Sequence, residues 1–146
     1  MSPKTDVPPD TAIHRLDAPE LERRMAEFAG LLHACVLAGA SVGFVAPFAL
    51  SEAEAFWRNK VLPGVAGGGV SLLAALQQGR VVGTVQLDHD TPANQPHRAE
   101  VRKMLVHPAF RRRGVARALM IALEARAMRL GRTLLTLDTR TGDAAE

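Results

Sequence analysis

Tyrosine is absent from this chain, cysteine and tryptophan occur once each, and five phenylalanines complete the aromatic content. The single thiol, Cys35, excludes an intramolecular disulfide and any cysteine-rich zinc site. A reducing compartment, most simply the cytoplasm, is the expected location. The shortage of rings also bears on nucleic acid. Single-strand binders stack bases on aromatics set among basic residues, and no ring here lies between arginines. Nucleic acid is therefore not the expected partner. Long apolar runs are scarce as well. Residues 29–50 carry no formal charge over 22 positions, about enough to span a bilayer. His33, Ser41, Pro47 and glycines at 30, 39 and 43 interrupt that run, which reads as a helix end and a buried loop. No membrane partner is expected. Residues 1–10 are polar and proline-rich, so they predict a disordered lead-in and not a signal peptide.

What is present suits one domain over residues 11–146, with 47% hydrophobic residues for a core. The charge is uneven. Residues 98–140 hold eleven Lys/Arg against Glu100, Glu124 and Asp138, while the remainder holds seven basic and twelve acidic residues. A basic half implies an anionic partner.

Periodicity marks out the elements. Thr11–Leu16 reads as a short strand. Asp17 and Glu20 make a capping-box pattern, and Leu21, Met25, Phe28, Leu32 and Val36 follow at helical spacing until Gly39. Ser51–Glu54 opens a second helix expected to end at Pro63, and Gly67-Gly68-Gly69 reads as a mobile connection. Ser71–Leu76 and Val81–Leu87 flank a four-residue turn, a hairpin pattern. A polar loop leads to a strand over Glu100–Val106. Val115, Leu119, Ala122, Leu123, Ala127 and Leu130 then lay an apolar stripe along Gly114–Leu130, before a last apolar strand, Leu134–Asp138. Strand, basic glycine loop, helix and strand form an α/β pattern around one crossover.

The strongest local signal is Arg111-Arg112-Arg113-Gly114-Val115-Ala116, at the junction of strand and helix. A helix N-terminus presents unpaired N–H groups and about half a positive charge, so arginines there are unfavourable by themselves. A bound phosphate or pyrophosphate reverses the sign, and Gly114 and Ala116 allow backbone amides to approach it. The competing reading is a solvated arginine run.

Arg-x-x-Gly-x-Ala in this setting resembles the acetyl-CoA pyrophosphate loop of the GNAT acyltransferases, and Val101–Pro108 resembles that family's fourth strand. Gly39–Phe44, Arg98–Val101 and Leu134–Thr139 are similar to segments of its tabtoxin-resistance branch. The resemblance covers most of Asp17–Glu146. It implies an α/β fold of α+β type, with a mixed, mostly antiparallel sheet flanked by helices. It implies acetyl-CoA as cosubstrate, with the backbone of Met104, Leu105 and Val106 pairing with the pantetheine arm. The amides of Arg111, Arg112, Arg113, Gly114, Val115, Ala116 and Arg117 are then expected to hold the pyrophosphate. An N–H near Leu105 or Val106 is expected to polarise the thioester carbonyl. The implied reaction is N-acetylation of a primary amine on a small, amino-acid-like or toxin-like acceptor, by direct attack in a ternary complex. Antibiotic or toxin resistance is the setting that this suggests. An acetyl-CoA-binding module with little catalysis is the alternative.

An amine nucleophile must lose a proton, which calls for a carboxylate or a water held by one. Glu100 and Asp138 are the candidates. Glu100 shares a strand face with Arg102, so an ion pair with Arg98 or Arg102 is its structural reading. Asp138 ends the last strand, where parallel sheets place functional residues, and a turn cap is its structural reading. No metal is expected: Asp88, His89, Asp90 and His97 fit no zinc spacing. Gly39-Ala40-Ser41-Val42-Gly43 matches the nucleophile-elbow pattern but lacks the strand before it and the helix after it. Cys35 reads as a small core residue. In the family, the strand matching Leu134–Asp138 is followed by a helix and two strands that commonly hold a tyrosine acid for the departing thiol. The resemblance thus implies that these elements are missing, and that the apolar edge Leu134–Leu137 recruits a second copy or a strand-completing partner.

Overall fold

The protein is described by a computed structural model over residues 11–39, 48–90 and 95–137. The expected lead-in 1–10, Ser41 and Asp138 lie outside the described residues.

Strand β1 (Thr11–Leu16) leads into helix α1 (Ala18–Arg23), whose start is the anticipated capping box. Asp17 Oδ1 accepts from the Glu20 amide at 2.9 Å, and Glu20 Oε1 accepts from the Asp17 amide at 3.3 Å. The chain breaks at Arg24 and continues as α2 (Met25–Leu37), which buries Phe28, Leu32, Cys35 and Val36. Thirteen residues of helix are too short to cross a bilayer, and among the described residues no helix is long and apolar enough to do so.

Helix α3 (Leu50–Phe56) passes through a π-helical turn, Trp57–Val61, into α4 (Leu62–Gly67). The helix therefore does not end at Pro63. The wider turn donates from the Leu62 amide to Trp57 O and restarts the helix, so Pro63 falls in a first turn, where its missing N–H costs nothing. Gly67-Gly68-Gly69 is a hydrogen-bonded helix cap, with the Gly69 amide on Gly64 O and the His89 amide on Gly69 O.

Strands β2 (Val70–Gln77) and β3 (Arg80–Asp88) form the hairpin, through a tighter turn than expected. Gln78 and Gly79 both have positive φ, as a two-residue type I′ turn requires. Strand β4 (Arg98–Val106) is antiparallel to β3, α5 (Val115–Arg129) crosses over, and β5 (Leu134–Leu137) runs parallel to β4. The sheet order is β1-β2-β3-β4-β5. Helices α1–α4 cover one face, with Trp57 edge-on to Phe28 at 4.8 Å, and α5 covers the other through Val115, Leu119, Leu123 and Ala127.

Two details place the site. Gly83 lies under the start of α5, where a Cβ would stand 2.9 Å from Val115 and 3.1 Å from Leu105 O, so only glycine lets the helix sit this low. In β4, Lys103 takes φ +53, and the register skips from Gln86↔Arg102 to Thr84↔Leu105. Two β4 residues thus oppose one on β3, a bulge that turns Met104 toward α5 and leaves Leu105 on the opposite face.

Candidate active site

The junction of β4 and α5 is built from the loop that follows Val106. The His107 amide donates to Val82 O, and a short 3-10 turn, Pro108–Phe110, starts with His107 Nδ1 accepting from the Ala109 amide at 3.1 Å. The three arginines then part ways. Arg111 turns inward, its Nε donating to Val106 O at 3.1 Å. Arg112 is exposed at φ +64, and Arg113 stacks over the Phe110 ring at 5.4 Å. Cys35 Sγ reaches the same Val106 carbonyl from α2, at 3.4 Å. Burial pushes the Cys35 thiol above its usual pKa, against the pull of nearby Arg111, so it stays a protonated donor and not a nucleophile.

Gly114 N-caps α5 with φ +81, a conformation L residues rarely adopt, and offers no side-chain acceptor to the first turn. That turn also lacks an acidic residue. Its free amides open on a cavity of about 190 Å3 lined by Val106, Arg112, Gly114, Val115, Ala116 and Arg117. An N-terminal dipole, unsatisfied N–H groups and two flanking guanidiniums suit a phosphate-bearing ligand. Val115 contributes backbone only, because its side chain is core. Met104 and Leu105 are buried on opposite faces of β4 and can reach a ligand only through main-chain atoms.

On the α1–α4 face of the sheet, Glu100 pairs across the strands with Asp88. Arg102 joins them: its Nη2 and Nε lie 2.8 and 3.0 Å from Glu100 Oε1, and its Nη1 lies 3.3 Å from Asp88 Oδ2. The ion pair foreseen as the structural reading of Glu100 is thus present, with Oε1 the oxygen engaged. Asp138, the second carboxylate candidate, lies outside the described residues.

The sequence reading missed the polar row beside them. Thr84, Gln86 and Asp88 alternate along β3 with Val85 and Leu87, and all three point to the face of Glu100. Gln86 is 5% exposed with its Nε2 unpartnered, and the fully buried Trp57 also leaves its indole N–H unpartnered. The signal was available: an alternating polar row inside an otherwise apolar strand marks a face meant for something other than core. Among the described residues no group of three or more His, Cys, Asp or Glu is placed to hold a metal ion.

Comparison with solved structures places this architecture. An aminoglycoside acetyltransferase, meta-AAC0020, from an uncultured soil metagenomic sample in complex with sisomicin superposes with a TM-score of 0.65 at 15% identity, covering 88% of this chain and 77% of that one. The ribosomal-protein-alanine N-acetyltransferase of Brucella melitensis biovar Abortus 2308 gives 0.61 at 23% identity, covering 88% and 79%. The yncA protein of Salmonella typhimurium, solved with its cofactor acetyl-CoA, gives 0.63 at 19% identity, covering 88% and 69%. At these identities the likeness establishes the fold. The sequence model of the acetyltransferase (GNAT) family matches residues 43–145, most of the chain and the whole β4–α5–β5 unit. The chain belongs to the acetyltransferase (GNAT) family.

Proposed function

We propose that the protein is an acetyl-CoA-dependent N-acetyltransferase that acetylates a primary amine on a small acceptor. The observation that carries this reading is the cavity at the start of α5, formed by the family's phosphate loop with its amides free and no acid in the first turn. Acetyl-CoA, when bound, supplies the acetyl group as a thioester. The residues of the chain do the rest. Amides of Arg111, Arg112, Arg113, Gly114, Val115, Ala116 and Arg117 hold the pyrophosphate, with Arg112 and Arg117 adding charge. The main chain of Met104, Leu105 and Val106 aligns the pantetheine arm, and an N–H near Leu105 or Val106 faces the carbonyl oxygen, an interaction worth about 2–4 kcal/mol in comparable sites.

Glu100 Oε1 is taken by Arg102, which fixes the carboxylate and leaves Oε2 to accept the ammonium proton, directly or through water. Asp138 is the second carboxylate for this role. Asp88 and Gln86 lie on the same face and are acceptor contacts. The ammonium proton leaves through the Glu100 carboxylate to solvent. The neutral nitrogen then forms its bond to the acetyl carbon as the C–S bond breaks, its next proton leaves by the same carboxylate, and CoA departs as a thiolate, tolerable near neutral pH for a thiol of pKa about 8.5. The neighbouring aminoglycoside acetyltransferases make an amine-bearing antibiotic or toxin a reasonable acceptor class.

Two measurements test this. Acetyl-CoA should raise Tm saturably, and release of free thiol should depend on an added amine from a panel of aminoglycosides, amino-acid analogues and polyamines. Glu100→Gln should lower kcat by roughly 10²–10⁴-fold with donor affinity kept. Donor binding without thiol release for any amine would instead favour a silent acetyl-CoA-binding module. No Tm shift with acetyl-CoA would remove the enzyme reading.

A further inference from the structure

At the far corner of the sheet, where the last turns of α5 meet β1 and β2, lies a second cavity of about 240 Å3. Its floor is apolar, formed by Ile13, Leu73 and Ala122, and its walls carry the guanidinium groups of Arg15, Arg126 and Arg129. Arg15 sits directly opposite Leu73 in the β1–β2 register, so strand pairing itself brings its charge to the helix. Among the described residues none of the three arginines pairs with a carboxylate.

Three like charges around one partly apolar hollow repel one another, and this needs an account. The helix dipole favours Arg126 and Arg129, which stand in the last turn of α5. It offers nothing to explain Arg15, which arrives from another strand at the sheet edge. Burial and the charges of Arg15 and Arg129 together depress the pKa of Arg126, so the cluster is under electrostatic load as it stands.

Arg126 is also aimed. Its Nε donates to Ser71 Oγ at 3.0 Å, and that oxygen, 3% exposed as a residue, lies 2.9 Å from His89 Nε2. A guanidinium can only donate, so Ser71 Oγ accepts from Arg126, and the direction of its second bond, with His89, follows the imidazole tautomer. The chain of contacts fixes one edge of the guanidinium and leaves the Nη groups without another partner among the described residues. A planar fork held this way matches a carboxylate or phosphate bidentately.

We propose that this cavity is a second ligand site, which takes a small molecule whose carboxylate or phosphate sits beside an apolar body. The anion lies among Arg15, Arg126 and Arg129, and the apolar part lies on Ile13, Leu73 and Ala122. The site is separate from the cavity at the start of α5: Ala116 and Arg129 are about 20 Å apart at 1.5 Å per helical residue. It does not depend on what the first cavity binds.

The test is an NMR titration of the full chain with phenyl phosphate and with benzoate, using phenol and sodium chloride as controls. The expected result is saturable shifts at Ile13, Leu73 and Ala122 from one of the two anions, with or without acetyl-CoA present. Which anion saturates first separates phosphate from carboxylate. Arg15→Gln and Arg129→Gln, both at exposed side chains, should each weaken binding by about tenfold with an unchanged circular-dichroism spectrum. Shifts confined to Gly114–Arg117, shifts that sodium chloride reproduces without saturation, or affinity in both variants unchanged from the unsubstituted protein would each overturn the proposal. So would tight binding of a short single-stranded oligonucleotide through these arginines with no saturable shift from either small anion.

Discussion

The two ends of α5 both border a cavity and both carry arginines, yet the physics of the two ends is opposite. At the start, Arg111, Arg112 and Arg113 oppose the helix dipole, and backbone amides face the cavity. At the end, Arg126 and Arg129 agree with the dipole, and side chains face the cavity. An anion at the first end would meet amides that lack an intrahelical acceptor. The second depends on three guanidiniums that tertiary packing brings together. Equal residue types therefore carry different roles, fixed by their relation to the helix axis.

The contrast can be broken most sharply at Ala116. A carboxylate there agrees with the dipole but repels a pyrophosphate, so Ala116→Glu should weaken acetyl-CoA binding by at least about 100-fold, while stability holds or rises by about 0.3–1 kcal/mol. Calorimetric titration and urea unfolding on the same sample check both halves; parallel loss of the two would mean that the first turn is not the donor site.

Within the first arginine group, Arg111 and Arg112 should separate. Arg111→Gln removes the donor from Val106 O and should cost about 1–3 kcal/mol in urea unfolding. Arg112→Gln, at an exposed residue, should stay within about 0.5 kcal/mol and weaken only donor binding. Equal stability losses would contradict the inward turn of Arg111.

At the far end, Arg129→Gln removes a favourable dipole contact and, at the same time, one of three like charges, so stability should stay within about 0.5 kcal/mol and donor affinity should not change. A loss of donor affinity would mean that the two ends are coupled along the helix.

The smallest effect is in pH. Burial, then the charges of Arg126 and Arg132, hold the His89 pKa below its usual 6.5. Burial, Arg80 and Arg111 lower that of His107 in the same direction. The unfolded chain therefore takes up these protons first, and stability should fall as pH drops below about 6.5, then level once the folded-state groups are protonated. His89→Gln should flatten part of that slope in unfolding midpoints measured between pH 7.5 and 5. An unchanged slope would remove His89 from the linkage.

Much of this architecture was legible because its signals are local. The capping box of Asp17 and Glu20 and the stripe from Val115 to Ala127 both depend on spacings within a few turns. Pro63 misled because a proline ordinarily ends a helix, and only a π-helical turn, which no local spacing announces, moves it into a permitted first turn. The bulge at Lys103 was hidden for a related reason: a skipped register exists only when β3 and β4 are laid side by side. The ion pair of Glu100 with Arg102 was legible from their shared strand face, whereas the row of Gln86 and Asp88 was passed over although its alternation was in plain view.

By itself the sequence determined that a glycine loop rich in arginine joins a strand to an amphipathic helix, because cap chemistry and hydrophobic period act over neighbouring residues. Which arginine turns inward to Val106, that Asp88 and Glu100 share Arg102, and that Arg15 meets Arg126 were decided only by the tertiary structure. Those meetings join residues far apart in the chain, and only strand register and the seating of α5 on Gly83 bring them within reach.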